Sequence, residues 1–231
     1  WIGVLAGLFM YRNSNAFIPA AGCLIAVILM GFAHGGSQMN PQITPLVPVL
    51  KSYWLMIHVA IITSSYGFFG LSALIGTVVL VLYVIDNKKI SAKVKSSVME
   101  LTIVNELSLT VGIFLLTVGT FLGGIWANES WGRYWSWDPK ETWAFISVIV
   151  YAFILHVRLI PGLRSKYLFN LLSLVGFSTI IMTYFGVNYY LTGLHSYAKG
   201  DPVPVPSWVY ITVAMVFVLA VVSYKRYQRK L

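Results

Sequence analysis

The sequence predicts an all-α, polytopic transmembrane helix bundle, and three observations carry that prediction. Only 10% of the 231 residues are charged and 58% are apolar, where soluble domains carry roughly 25% charged residues. The apolar residues fall in long unbroken runs without alternation, which suits helices and excludes open strands from hydrocarbon. The basic residues alternate from loop to loop, as they do when successive spans reverse direction.

Taken in order, the run at 1–11 reads as the tail of a truncated helix. Runs follow at 16–33, 53–85, 107–127, 141–160, 167–187 and 207–224, giving about six full spans plus one partial. Roughly 20 residues cross a bilayer, so 53–85 is long enough to tilt strongly or to project beyond it. The whole of 1–231 reads as a single integral membrane domain. It begins at Trp1 with no initiating Met, basic n-region or cleavage site, so a piece or one half of a larger protein is expected. Cys23 has no partner in the chain and is expected to be apolar filler.

Arg12, Lys88–Lys95, Arg158–Lys166 and Lys225–Lys230 fall on one side and hold twelve of the sixteen Lys and Arg. That side is cytoplasmic. The net charge of +9 is therefore a topology signal, and with no single basic stripe, nucleic-acid binding is excluded as the reading. Segment 86–106 mixes Lys88, Lys89, Lys93, Lys95, Glu100 and Glu106 with apolar residues and reads as a cytoplasmic amphipathic surface helix.

The densest signal lies on the outer side. Five of the eight Trp residues, Trp126, Trp131, Trp135, Trp137 and Trp143, fall within 126–143. An interfacial belt needs far fewer, so the external segment 127–140 reads as a platform for something large, flat and partly apolar. Asp138 is expected to cap the next helix, with Pro139 in its first turn. Arg133 and Lys140 beside that helix N-terminus would favour a carboxylate, or would simply pair with Glu129, Asp138 and Glu141.

The histidines divide by depth. His58 lies five residues into the span that starts at Tyr53, roughly 7–8 Å below its outer end, and His195 lies in the outer loop after 167–187. The pair could fill both axial positions of a haem iron, or each could be a neutral interhelical hydrogen-bonder. His156 lies 17 residues past Pro139, roughly 25 Å deeper, and belongs to a second site. His34 reads as a surface residue in a flexible loop. Gly119-x-x-x-Gly123 reads as close helix packing with no ligand implied, and Tyr53-Trp54 and Tyr189-Tyr190 as interfacial anchors. Phosphate-loop, dinucleotide and zinc-protease motifs are absent.

Trp131-Gly-Arg-Tyr-Trp-Ser-Trp-Asp-Pro-Lys-Glu-Thr-Trp143 resembles the tryptophan-rich WWD motif of haem-handling proteins of cytochrome c maturation. Tyr53-Trp-Leu-Met-Ile-His58, Ile154-Leu-His156-Val-Arg and Gly193-Leu-His195-Ser-Tyr197 resemble the CcsA family of the System II pathway, over residues 51 to 208. The resemblance implies a holocytochrome c synthase of the haem-lyase type, which moves haem b to the outer face and joins it to an apocytochrome c Cys-x-x-Cys-His segment. It implies that His58 and His195 are the catalytic pair and ligate the external haem iron, while His156 ligates a transmembrane haem iron. Trp126, Trp131, Trp135, Trp137 and Trp143, with Arg133, Tyr134 and Asp138, would line the haem. A CcsB-like half, fused or separate, would supply the second ligand opposite His156. The resemblance places the protein in a bacterial inner membrane with a periplasmic active face, or in a thylakoid membrane for a plastid relative. A haem exporter or chaperone that presents haem without attaching it, and a membrane haem electron carrier, are the alternatives.

Overall fold

The computed structural model describes residues 17–35, 51–86, 91–195 and 204–228. The expected partial span at 1–11 lies outside them. Six long helices account for the other runs: α1 (Phe17–Gly35), α2 (Tyr53–Ile85), α3 (Ala92–Trp131), α4 (Pro139–His156), α5 (Lys166–Tyr190) and α6 (Ser207–Gln228). There is no strand among the described residues. Helices α2 to α6 are each long and apolar enough to cross a membrane, and the 19 residues of α1 cover the expected run at 16–33. Cys23 is exposed on α1, and His34 falls in that helix's last turn, a helical position where a loop was expected.

The largest departure is on the cytoplasmic side of the predicted topology. Residues 92–131 form one helix of 40 residues, where a separate surface helix over 86–106 and a span over 107–127 were expected. Neither Gly nor Pro interrupts 92–111, so nothing ends the helix there. Val98, Thr102, Val104 and Asn105 are buried within this half. Helix packing has drawn it into the bundle.

Helix α2 is the hub, packing most extensively on α3 and next on α5. In lipid, close packing and interhelical hydrogen bonds replace the hydrophobic drive, and both occur here. Phe69 of α2 stacks on Tyr151 of α4 with ring centroids 3.8 Å apart. Below that stack, the Asn105 amide donates to Asn170 Oδ1 and to Ser173 Oγ, each at 2.8 Å. Ser72 donates to Asn105 Oδ1, and the Asn170 amide donates to Thr102 Oγ1 at 2.9 Å. These bonds stitch α2, α3 and α5 together. Helix α6 packs chiefly on α2, where Tyr83 meets Tyr227 edge-on with ring centroids 5.3 Å apart. Tyr167 of α5 also donates its hydroxyl to the Ala220 carbonyl at 2.7 Å, and the other faces of α6 are open.

Helix α5 passes through a π-helical turn at Met182–Gly186. Thr183 within it lies 3.2 Å from Ser147 of α4. The extra residue per turn swings the end of α5 so that Asn188 meets Lys140, the ammonium donating to Asn188 Oδ1 at 2.9 Å. This fixes the start of the loop that carries His195.

Candidate functional site

Helix α4 begins in the Trp-rich segment through a reciprocal cap. Asp138 accepts from the Lys140 N–H at 3.1 Å, and Glu141 accepts from the N–H groups of Ser136 and Asp138 at 2.8 and 3.2 Å. The expected N-cap and Pro139 at the first helical position are both present. To enter that cap the chain places Trp137 at φ 59°, a left-handed conformation that bulky side chains rarely adopt. The residue that follows is thereby aimed inward. Asp138 is buried.

Besides capping α4, Asp138 holds His195. Its Oδ2 accepts from His195 Nδ1 at 2.8 Å, and its Oδ1 accepts from the Leu194 N–H. Gly193 permits this approach, because a Cβ there would collide with Oδ1. The acceptor role of Asp138 towards His195 was not legible in the sequence, since 57 residues separate the two.

His58 is seated just as closely. Its Nδ1 donates to the Gly119 carbonyl at 2.7 Å, and its ring lies so flat on α3 that a Cβ at Gly123 would sit 2.5 Å from Cε1. The Gly119-x-x-x-Gly123 pair, read from sequence as packing alone, is also the cradle of His58. Ser52 donates to Glu129 Oε2 at 2.7 Å and ties the start of α2 to the end of α3.

Trp126 joins the two histidines. Its ring is stacked with His58 at 6.3 Å and tilted against His195 at 5.5 Å. Trp131 packs edge-on to both Trp126 and His195, at 4.7 and 5.0 Å. Trp126 is 1% exposed, yet its indole N–H has no acceptor among the described residues. A buried donor left unmade costs about 1–3 kcal/mol, so this N–H is suited to an acceptor from outside the described residues.

A carbonyl or carboxylate oxygen can only accept, so Nδ1 carries the proton in both rings and the Nε2 lone pairs are left for a ligand. Metal-binding histidines are oriented by this same kind of bond. Burial pushes the His195 pKa below its ordinary value, against the pull of Asp138, which keeps the ring neutral near pH 7. Among the described residues no group of three His, Cys, Asp or Glu is placed to hold a metal ion. A porphyrin iron, whose four equatorial bonds are already made, needs only an axial pair.

The other expected residues lie elsewhere. Trp135 packs edge-on to Trp137 at 5.7 Å and to Phe145 at 6.4 Å, forming an outward aromatic ladder without ring contact to either histidine. Trp137 and Tyr134 are 69% and 64% exposed. Trp143 is half-buried on α4, its carbonyl accepting from Ser147 at 2.8 Å. Arg133 is exposed and makes no ion pair with a described residue, so the pairing weighed from sequence does not form. Lys140 meets Asn188 instead of a carboxylate.

His156 ends α4 at the opposite end of that helix. Its Nδ1 donates to the Ala152 carbonyl of its own helix at 2.7 Å, and the ring is exposed on the bundle's surface. Beside it, Arg158 pairs with Glu106 and lies 5.1 Å over the Phe169 ring.

A family model described as cytochrome c assembly protein matches residues 1–195. Protein NrfI of Wolinella succinogenes is 53% identical over 204 residues, which cover 88% of this chain and 22% of NrfI. The cytochrome c biogenesis proteins CcsA of Prochlorococcus marinus strain NATL1A and of Cyanophora paradoxa are 37% and 36% identical over 85% and 82% of this chain. The chain spans 72% of each of those two proteins and little more than a fifth of NrfI. A match of this extent, over a polytopic helical bundle, shows that the chain belongs to the CcsA family of cytochrome c assembly proteins.

Proposed function

We propose that this chain acts in cytochrome c biogenesis, carrying haem b to the outer membrane face and presenting it for covalent attachment to apocytochrome c. One observation carries the reading: two histidines from distant elements flank one buried Trp, each with Nδ1 tied and Nε2 left for iron. His58 and His195 bind the external haem iron, and Trp126 and Trp131 cover the ring, as large flat aromatic surfaces favour. The orphan indole N–H of Trp126 suits a propionate oxygen of the haem. His156 holds haem at the inner depth with a ligand from a CcsB-like half.

Attachment is an addition. Each thiol of the Cys-x-x-Cys-His segment gives its sulfur to one vinyl carbon and its hydrogen to the other, so no atom leaves. Proximity and orientation supply most of such a rate, and the site's contribution is to hold the vinyl edge towards the incoming thiols. The proposed membrane is a bacterial inner membrane with the attachment face periplasmic, or a thylakoid membrane for a plastid relative.

The test is the absorption spectrum of purified, haem-loaded protein together with covalent product formed from apocytochrome. Replacing His58 or His195 with Ala should abolish or alter the six-coordinate haem spectrum and lower the product. Unchanged spectra and yield in both variants would sink the reading. Haem transfer without any covalent product would leave the exporter alternative standing.

A further inference from the structure

The two proposed ligands differ in what holds them. His58 gives its Nδ1 proton to a neutral amide carbonyl, that of Gly119, at 2.7 Å. His195 gives its proton to a carboxylate, that of Asp138, at 2.8 Å, and the Asp138 side chain is only 2% exposed. The carboxylate cannot turn away. Its second oxygen is occupied by the Leu194 N–H, and Gly193 is pressed against it.

A buried carboxylate draws the Nδ1 proton towards itself and gives the imidazole anionic character, which strengthens Nε2 as a donor to iron. Low local dielectric enlarges that effect. A backbone carbonyl polarises its partner far less. The iron would thus be held by one strong and one ordinary bond.

We infer that Asp138 makes His195 the retained axial ligand, and that His58 is the ligand surrendered to the histidine of the incoming Cys-x-x-Cys-His segment. This rests on the proposed ligation of haem by both imidazoles. In the exchange the bond from iron to His58 Nε2 breaks and a bond from iron to the substrate imidazole forms. Each neutral ring keeps its own lone pair and its own Nδ1 proton, so charge and electrons balance.

Chain position alone would suggest the reverse, since His58 sits on a helix and His195 on a loop. The loop is pinned where it matters, because Leu194 and His195 both bond to one carboxylate whose own backbone starts α4. His58 is positioned by shape against a glycine. It needs only to let go.

Asp138→Asn keeps a good helix cap and the side-chain size but removes the charge. In haem-loaded protein the six-coordinate spectrum should persist, the reduction midpoint should move to more positive potential, and haem should leave about 10–100-fold faster, the usual cost of losing an outer-shell partner. Gly193→Ala, which displaces the carboxylate without touching a ligand, should move the midpoint the same way. An unchanged midpoint in both variants overturns the inference. His58→Ala supplied with free imidazole should still join haem to a Cys-x-x-Cys-His peptide, while His195→Ala under the same conditions should fall by about tenfold or more. Equal losses, or the opposite order, also overturn it. A wild-type spectrum in the double His58→Ala, His195→Ala variant removes the ligation reading itself, a failure separable from the wrong order of exchange.

Discussion

The two ends of α4 make the most instructive comparison in the molecule. At the Asp138 end, four elements converge: α2 brings His58, α3 brings Trp126 and Trp131, the cap brings Asp138, and the chain after α5 brings His195. At the other end His156 stands on the surface, its Nδ1 bonded within its own helix. Both ends orient an imidazole in the same way, yet only the first surrounds it with aromatic cover and a second histidine. Under the proposed function the first end is a site this chain builds by itself, whereas His156 would take its second ligand from outside the chain.

The largest effect separates the two ends outright. A double His58→Ala, His195→Ala variant should lose the outer haem signal entirely while leaving any haem held at His156 in place, and His156→Ala should do the converse. Pyridine haemochrome content and absorption spectra of the purified variants measure both. Loss of all haem from either variant alone would mean that the ends do not bind independently.

A smaller effect probes how His58 is seated. Gly123→Ala puts a methyl group into the ring, and overpacking of this kind costs about 1–3 kcal/mol. Because the neighbour displaced is a proposed haem ligand, haem retention at that end should fall about tenfold or more, with only a modest fall in thermal stability. Retention equal to wild type would show that the ring does not rest on Gly123 when haem is bound.

The buried amide network tests whether the bundle between the ends is only a scaffold. Asn105→Leu removes both donors of a fully paired amide, and interhelical hydrogen bonds in membranes are worth about 0.6–1.7 kcal/mol. Denaturant unfolding should show a loss of that order, with both haem signals unchanged. A spectral change at either end would instead couple the network to the sites.

These contrasts also mark what could be read in advance. Continuous apolar runs fix helices and their number, because in lipid no other element satisfies the backbone, and Asp138-Pro139 fixes a helix start by its chemistry alone. That His58 lies near the start of α2 and His195 just past the end of α5 follows from counting along helices. What sequence could not supply is pairing across distance. The grip of Asp138 on His195 and the cradle of Gly119 and Gly123 under His58 join residues 57 to 65 positions apart, and only the packing of α4 with α5 and of α2 with α3 brings them together. The same holds for the five tryptophans. Spacing made them one platform, whereas in the fold Trp126 and Trp131 pack with the histidines and Trp135 packs with the exposed Trp137.

The subtlest contrast lies between two cations that the sequence treated alike. Arg133 is exposed on the Trp-rich segment, while Lys140 lies half-buried in the first turn of α4, bonded to Asn188 and two residues from the Asp138 cap. Its ammonium has three donors, and one is spent on Asn188. A propionate arriving beside His195 would therefore meet Lys140 and the positive end of α4 together. Lys140→Met should weaken haem binding about fivefold, the scale of one partly screened ion pair, and Arg133→Met should leave it unchanged. Haem dimethyl ester, which has no carboxylates, should bind Lys140→Met and wild type equally well. If the ester still discriminates between them, Lys140 acts by holding the end of α5 through Asn188, and the charge that meets the propionate lies elsewhere.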